Sequence, residues 1–152
     1  MNFLQNSGDW QHTAVVILYD DSDGWYDHQM PPVVNQSTSS ADALTGPGAC
    51  GDGSSALPGV GSMAHAQGRC GYGPRQPLLV ISPWSRQNFV DHTITDQTSV
   101  IRFVEDNWLN GERVGSGSFD AISNSIANMF DFASDPNTSK LILDETSGEI
   151  AK

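Results

Sequence analysis

The residues best suited to chemistry lie in one stretch, LYDDSDGWYDHQMPP at positions 18–32. Asp20 and Asp21 are adjacent carboxylates at the end of an apolar run, Asp23 follows closely, and a Gly-aromatic loop leads to Asp27 and His28. Side chains of neighbouring strand residues point to opposite faces, so Asp20 and Asp21 converge only where the backbone turns at the strand's end. Two carboxylates brought together there make a hard oxygen site suited to Mg²⁺, Mn²⁺ or Ca²⁺, and to Zn²⁺ with imidazole help from His28. The same letters also read as a solvated Asx-rich turn, in which Asp and Ser side chains hydrogen-bond their own backbone, and both readings stand at this point. The stretch is not a calcium hand, because the glycine comes too early and the closing Glu is missing. Asp23, beside Gly24, belongs with the turn.

The elements that must position these groups follow from the hydropathy pattern. TAVVILYD (13–20) and PLLVIS (77–82) are near-continuous apolar runs, which predict strands covered on both faces, as in a parallel sheet. Both end in polar residues, where open α/β sheets collect ligands. Between them, Pro31 and Pro32 stop regular structure, and nine glycines fall between Gly46 and Gly73. Residues 29–74 are therefore expected to be a loop-rich Gly/Pro insertion. DQTSVIRFVEDNWL predicts a helix capped by Thr95 or Asp96, with Ile101, Val104 and Trp108 on its apolar stripe, widened by Val100 and Phe103. SFDAISNSIANMF predicts a second helix, capped by Ser118, that buries Phe119, Ile122, Ile126 and Met129. KLILDETSG is expected to hold a short edge strand.

Other polar candidates carry weaker patterns. His92, in FVDHTITD between strand and helix, can be a substrate-facing imidazole or a surface residue. His12 and His65 have no supporting pattern, and Ser82 and Ser85 flank Pro83–Trp84 without a GxSxG elbow, so neither serine reads as a nucleophile. The glycine-rich GERVGSGS matches no phosphate-binding loop. Cys50 and Cys70 lie in the insertion. They either form a disulfide closing a loop of about 20 residues, a stabilisation of roughly 3 kcal/mol, or are two unrelated thiols.

Composition sets outer limits. The 152 residues are 38% hydrophobic and carry a formal net charge of −11. That charge repels a phosphate backbone, and no basic stripe with interleaved aromatics is present, so nucleic-acid binding is not expected. No run reaches the roughly 18 apolar residues of a membrane span. MNFLQNSGDW has neither a basic n-region nor an apolar h-region, and no signal peptide is expected there.

Three blocks, AVVILYDDSDGWYDHQMPP, RCGYGPRQPLLVISPWSRQNFVDHTITDQTSVIRFVEDNW and GSFDAISNSIANMFDF, resemble in order the C-terminal part of the bacterial phosphoesterase family, which contains phospholipases C and acid phosphatases. The resemblance covers nearly all of residues 9–132. It implies an α/β, alkaline-phosphatase-like three-layer sandwich with a mostly parallel sheet, in which residues 1–152 form the C-terminal segment of a phosphoesterase domain. It further implies metal-dependent hydrolysis of phosphate esters, including phospholipids, with a divalent metal ion as cofactor and a secreted or periplasmic location. Asp20 and Asp21 match the family's metal-binding acidic pair, His28 the histidine closing that motif, and His92 the histidine of the family's (S/D)HT segment. The family's Glu-Asn metal-binding pair and hydroxyl nucleophile precede the part resembled here, and the SFD at 118–120 is not their equivalent. The resemblance therefore implies part of a metal site, completed by an N-terminal half. The alternative is a catalytically inactive interaction domain that pairs with itself or with that half.

Overall fold

The structure is a computed structural model that describes residues 1–34, 71–115 and 117–151. Cys50, Cys70 and His65, with most of the expected insertion, lie outside the described residues. The chain forms two compact units: Met1–Leu18 with Leu78–Asp91 and Asn128–Lys152, and Tyr19–Pro77 with His92–Ala127.

In the first unit, helix α1 (Asn2–Asn6) precedes strand β1 (Val15–Leu18), which pairs with β2 (Leu78–Ile81). The pairing is antiparallel, with Val15 opposite Ile81 and Leu18 opposite Leu78. This corrects the expectation of a parallel pair: an apolar run reports which faces avoid water, not the direction in which a long excursion returns the chain. Nor are both faces covered, since Ile17 and Leu79, directly opposite each other, are 41% and 55% exposed. The expected strand in KLILDETSG is instead a single antiparallel bridge, Leu143 to Ile150, folded over a turn in which the Asp144 carboxylate accepts the Thr146 and Ser147 N–H groups. The side-chain amides of α1 supply the pairing that this tail lacks. The amide of Asn2 exchanges two hydrogen bonds with the Leu143 backbone (2.7 and 3.0 Å), and that of Gln5 exchanges two with Leu141 (both 2.8 Å). Trp10 and Phe130 are the buried aromatics of this unit.

In the second unit, helix α2 (Thr98–Trp108) lies where the pattern placed it. Of the two expected caps, Asp96 acts: its carboxylate accepts the Thr98 N–H at 2.7 Å, while the Ser99 hydroxyl accepts the Asp96 N–H at 3.0 Å, a reciprocal box around the first turn. At the other end Asn110 adopts φ 53°, and the Gly111 N–H returns to the Glu105 carbonyl at 2.9 Å, which closes the last turn. The buried face differs from the expected stripe. Ser99 and Phe103, one turn apart, are buried, whereas Ile101, Val104 and Trp108 are exposed. The second predicted helix is two 3₁₀ turns, Phe119–Ala121 and Ile126–Met129. Its polar centre explains the break: the Asn124 amide donates to the Ile94 carbonyl and the Ser125 hydroxyl accepts the Ala127 N–H, side-chain bonds that compete with helix continuation. Ile126, from that segment, is nonetheless fully buried.

This unit also holds a buried acidic group that the sequence did not signal. Asp120 is fully buried, and its carboxylate accepts the Val114 N–H at 2.9 Å. Burial opposes its ionisation, but hydrogen bonds led by Ser118 and the Val114 N–H more than offset this and hold its pKa below the ordinary carboxylate value. Glu105, also buried, is paired with Arg113 at 3.2 Å. No helix among the described residues is long and apolar enough to cross a membrane.

The buried face of α2 is testable by truncation. Phe103→Ala and Ile126→Ala are expected to destabilise by about 3 kcal/mol in urea unfolding, as large-to-small core changes do. Ile101→Ala is expected to cost about 0.5 kcal/mol, as at a surface position. Equal costs at positions 101 and 103 would contradict the observed face.

Candidate functional site

The acidic stretch opens the second unit, and its backbone is held from α2. The Gln97 side-chain amide, at the start of that helix, donates to the carbonyls of Tyr19 (2.9 Å) and Asp20. The carboxylate of Asp21 accepts the Asp23 N–H at 2.6 Å, and the Trp25 N–H donates to the Ser22 carbonyl at 2.8 Å. Asp23 and Gly24 both adopt positive φ, 46° and 80°, so Ser22–Trp25 is a tight reversal that Gly24 accommodates without steric cost. Part of the stretch therefore takes the Asx-turn reading: one oxygen of Asp21 shapes the turn, and Asp23 belongs to it.

Asp20 and Asp21 are exposed, as are His28 and His92. Their donor chemistry fits a hard divalent cation. Among the described residues, however, no three His, Cys, Asp or Glu side chains come together as a metal-holding group. The described carboxylates thus fit part of a coordination shell and not a whole one.

His28 stands at a different feature, an open cleft of about 470 Å³ walled by residues 22 and 24–31 on one side and by Gly73 and Pro74 on the other. Neither Asp20, Asp21 nor His92 lines it. The Tyr26 ring meets the His28 ring edge-on with centroids 5.0 Å apart. His92 precedes α2, upstream of the Asp96 cap.

The residue that sequence reasoning missed is Arg75. Its Nε–H and backbone N–H donate to one oxygen of Asp27 at 2.9 and 2.8 Å, and its Nη2 donates to the other at 2.8 Å. That second oxygen also accepts the Gln29 N–H at 3.0 Å. With these four bonds the Asp27 carboxylate is fully occupied, and it holds His28 through the backbone rather than by accepting an imidazole N–H. The sequence carried only a weak signal: Arg75 is one of seven Lys and Arg residues in the chain and stands two positions before PLLVIS. The Arg75 hydrogen bond, followed by the backbone N–H groups, holds the Asp27 carboxyl well below the usual carboxylate range, and the same pairing raises the Arg75 pKa. Gln97 was likewise not legible as the anchor of Asp20. The hydroxyls of Ser82 and Ser85 are engaged in their own turn: Ser82 donates to the Thr13 carbonyl at 2.9 Å and Ser85 to the Ser82 carbonyl at 2.9 Å.

The profile of the Phosphoesterase family matches residues 1–109. A non-hemolytic phospholipase C of Burkholderia pseudomallei is 32% identical over 143 residues, which are 91% of this chain and 19% of that protein. A non-hemolytic phospholipase C of Pseudomonas aeruginosa is 33% identical over 138 residues, 91% of this chain and 20% of that protein. Phospholipase C B of Mycobacterium tuberculosis is 32% identical over 141 residues, 93% of this chain and 25% of that protein. The chain thus spans between a fifth and a quarter of the length of these relatives.

The Asp27 pairing has a definite pH signature. Its folded-state pKa is lowered, so the pairing contributes fully above the unfolded carboxylate value and is lost only as pH falls through the lower folded value. In a carboxyl ¹³C titration Asp27 is expected to remain ionised near pH ~4, where an unperturbed Asp is half protonated. Arg75→Gln is expected to move that midpoint upward, and an unchanged midpoint would remove Arg75 as its cause.

Proposed function

This chain belongs to the Phosphoesterase family, and from that premise we propose that it supplies the strand-end part of a site hydrolysing phosphate esters, of phospholipase C or acid phosphatase type. The observation carrying the proposal is the acidic pair, Asp20–Asp21, at the end of β1, with its backbone held from α2 by Gln97 and followed by the His28 loop. In this reading Asp20 and Asp21 are two ligands of a divalent cation. Bound there, such a cation would offset charge on the phosphoryl oxygens and favour nucleophile activation. His28 faces an open cleft that can admit part of the ester, and an imidazole there can donate or accept a proton at an ester oxygen. His92 is the second imidazole of the site.

The three relatives described above bear the name phospholipase C, which supports a phospholipid as the substrate class; a secreted or periplasmic setting is part of the same proposal. The remaining metal ligands and the nucleophile come, in this proposal, from an N-terminal half, which would also complete an alkaline-phosphatase-like α/β sandwich around β1 and β2. The direct test is a graft. This chain replaces the matching segment of the Mycobacterium tuberculosis phospholipase C B, and hydrolysis of p-nitrophenylphosphorylcholine and p-nitrophenyl phosphate is followed with added divalent ions. The graft is expected to be active. Asp20→Asn or Asp21→Asn should lower turnover on the order of 100-fold. A graft with the relative's circular dichroism spectrum, whose turnover is indifferent to both substitutions, would contradict the proposal.

A second reading has its own observation. Ile17 and Leu79 form an open apolar face on a two-stranded sheet, a surface suited to pairing with itself or with an N-terminal half. Size-exclusion chromatography of the chain is expected to show self-association that Ile17→Lys weakens. A clean monomer would count against this reading.

A further inference from the structure

The insertion leaves the acidic stretch after His28 and returns at Gly73 and Pro74, and these two arms form opposite walls of the same cleft. Something must hold the arms at a fixed separation. Two contacts do so, independently of each other. Val33 and Gly71 form an antiparallel bridge so close that a Cβ on Gly71 would lie 2.2 Å from the Pro32 carbonyl oxygen. Six residues before Val33 and four after Gly71, the Asp27 carboxylate and Arg75 join in the three hydrogen bonds described above. The bridge sets how near the arms approach; the Asp27–Arg75 fork sets how they are turned, because a planar guanidinium engaging both carboxylate oxygens fixes orientation as well as distance.

We propose that Arg75 is a positioning residue: by clamping Asp27 to the returning arm, it fixes the His28 ring against Tyr26 in the wall of the cleft. The chain of contacts is short. Arg75 engages both Asp27 oxygens, and one of them also takes the Gln29 N–H, so the backbone on either side of His28 is tied to a single carboxylate. Tyr26, on the other flank, packs edge-on against the imidazole. His28 has therefore no need of a direct carboxylate partner to be oriented, and the saturated Asp27 could not be one. The Asp27 side chain is 13% exposed and that of Arg75 73% exposed, so the carboxylate is sheltered while the guanidinium covers it from the solvent side. A lysine would provide the charge but not the two-pronged geometry.

The functional consequence rests on the reading of His28 as an active-site imidazole; the positional claim does not, and the two are separable in one set of variants. In the intact, isotopically labelled chain, the Tyr26–His28 ring contact is read by nuclear Overhauser effect. Arg75→Gln is expected to abolish the ring contact, Arg75→Lys to restore it only in part, and the exchange Asp27→Arg with Arg75→Asp to recover more of it than either single change. Persistence of the ring contact in Arg75→Gln would overturn the proposal. So would an exchange no better than the single variants, because it would show the two side chains acting separately. In the phospholipase C B graft, Arg75→Gln should lower kcat about 100-fold, as misplacement of a reacting group by about 1 Å does, with little change in KM. Loss of the ring contact with kcat unchanged would support the clamp and instead remove His28 from the chemistry.

Discussion

In a chain with 18 acidic and 7 basic residues, each cation that is committed to one place shapes what surrounds it. Arg75 is committed to Asp27, and that pairing closes the neck of an excursion of more than forty residues. Loop closure is entropically unfavourable, and a loop's ends stay together only where specific contacts oppose that tendency. The Val33–Gly71 approach and the Asp27–Arg75 fork are those contacts, and the cleft carrying His28 exists because its two walls are the two ends so joined.

A second tie of the same kind acts one loop earlier. Gln97, at the start of α2, holds the carbonyls of Tyr19 and Asp20, so the backbone of the acidic stretch is fixed where the helix organises its first turn. Asp96 and Ser99 complete that turn reciprocally. The consequence is that the acidic pair is presented from a backbone anchored to secondary structure, while its carboxylates are left at the surface. Coordination by two carboxylates alone is weak and open, and in the proposed function the pair is one side of a site that other ligands complete. The exposed Ile17–Leu79 face fits the same proposal, since exposed apolar patches often mark surfaces that pair with another segment or chain.

Much of this was legible in the sequence, and the failures have identifiable physical causes. Both strands were found because apolar runs bounded by polar residues are a strong local signal, and α2 because its cap and period agree. Strand direction was not legible, since hydropathy carries no information about it. The buried face of α2 was misjudged because Ile101, Val104 and Trp108 satisfy the helical period as well as Ser99 and Phe103 do, and a serine that caps from inside the core looks polar on paper. The second helix failed for a related reason: Asn124 and Ser125 interrupt it with side-chain bonds of their own. At the site, the acidic pair and His28 stood out by type and spacing. Arg75 and Gln97, which hold them, did not, because each acts across 48 or more residues on partners that no local pattern connects.

The central claim is that Asp20 and Asp21 share one cation at the end of β1. It is tested most directly by adding Mn²⁺ in small increments to the labelled chain and mapping paramagnetic line broadening residue by residue. The account predicts that the amide signals of Asp20 and Asp21 broaden first, with the His28 loop next, and that either Asp20→Asn or Asp21→Asn abolishes this order. Broadening spread evenly over the acidic surface, or an order unchanged in both variants, would contradict it.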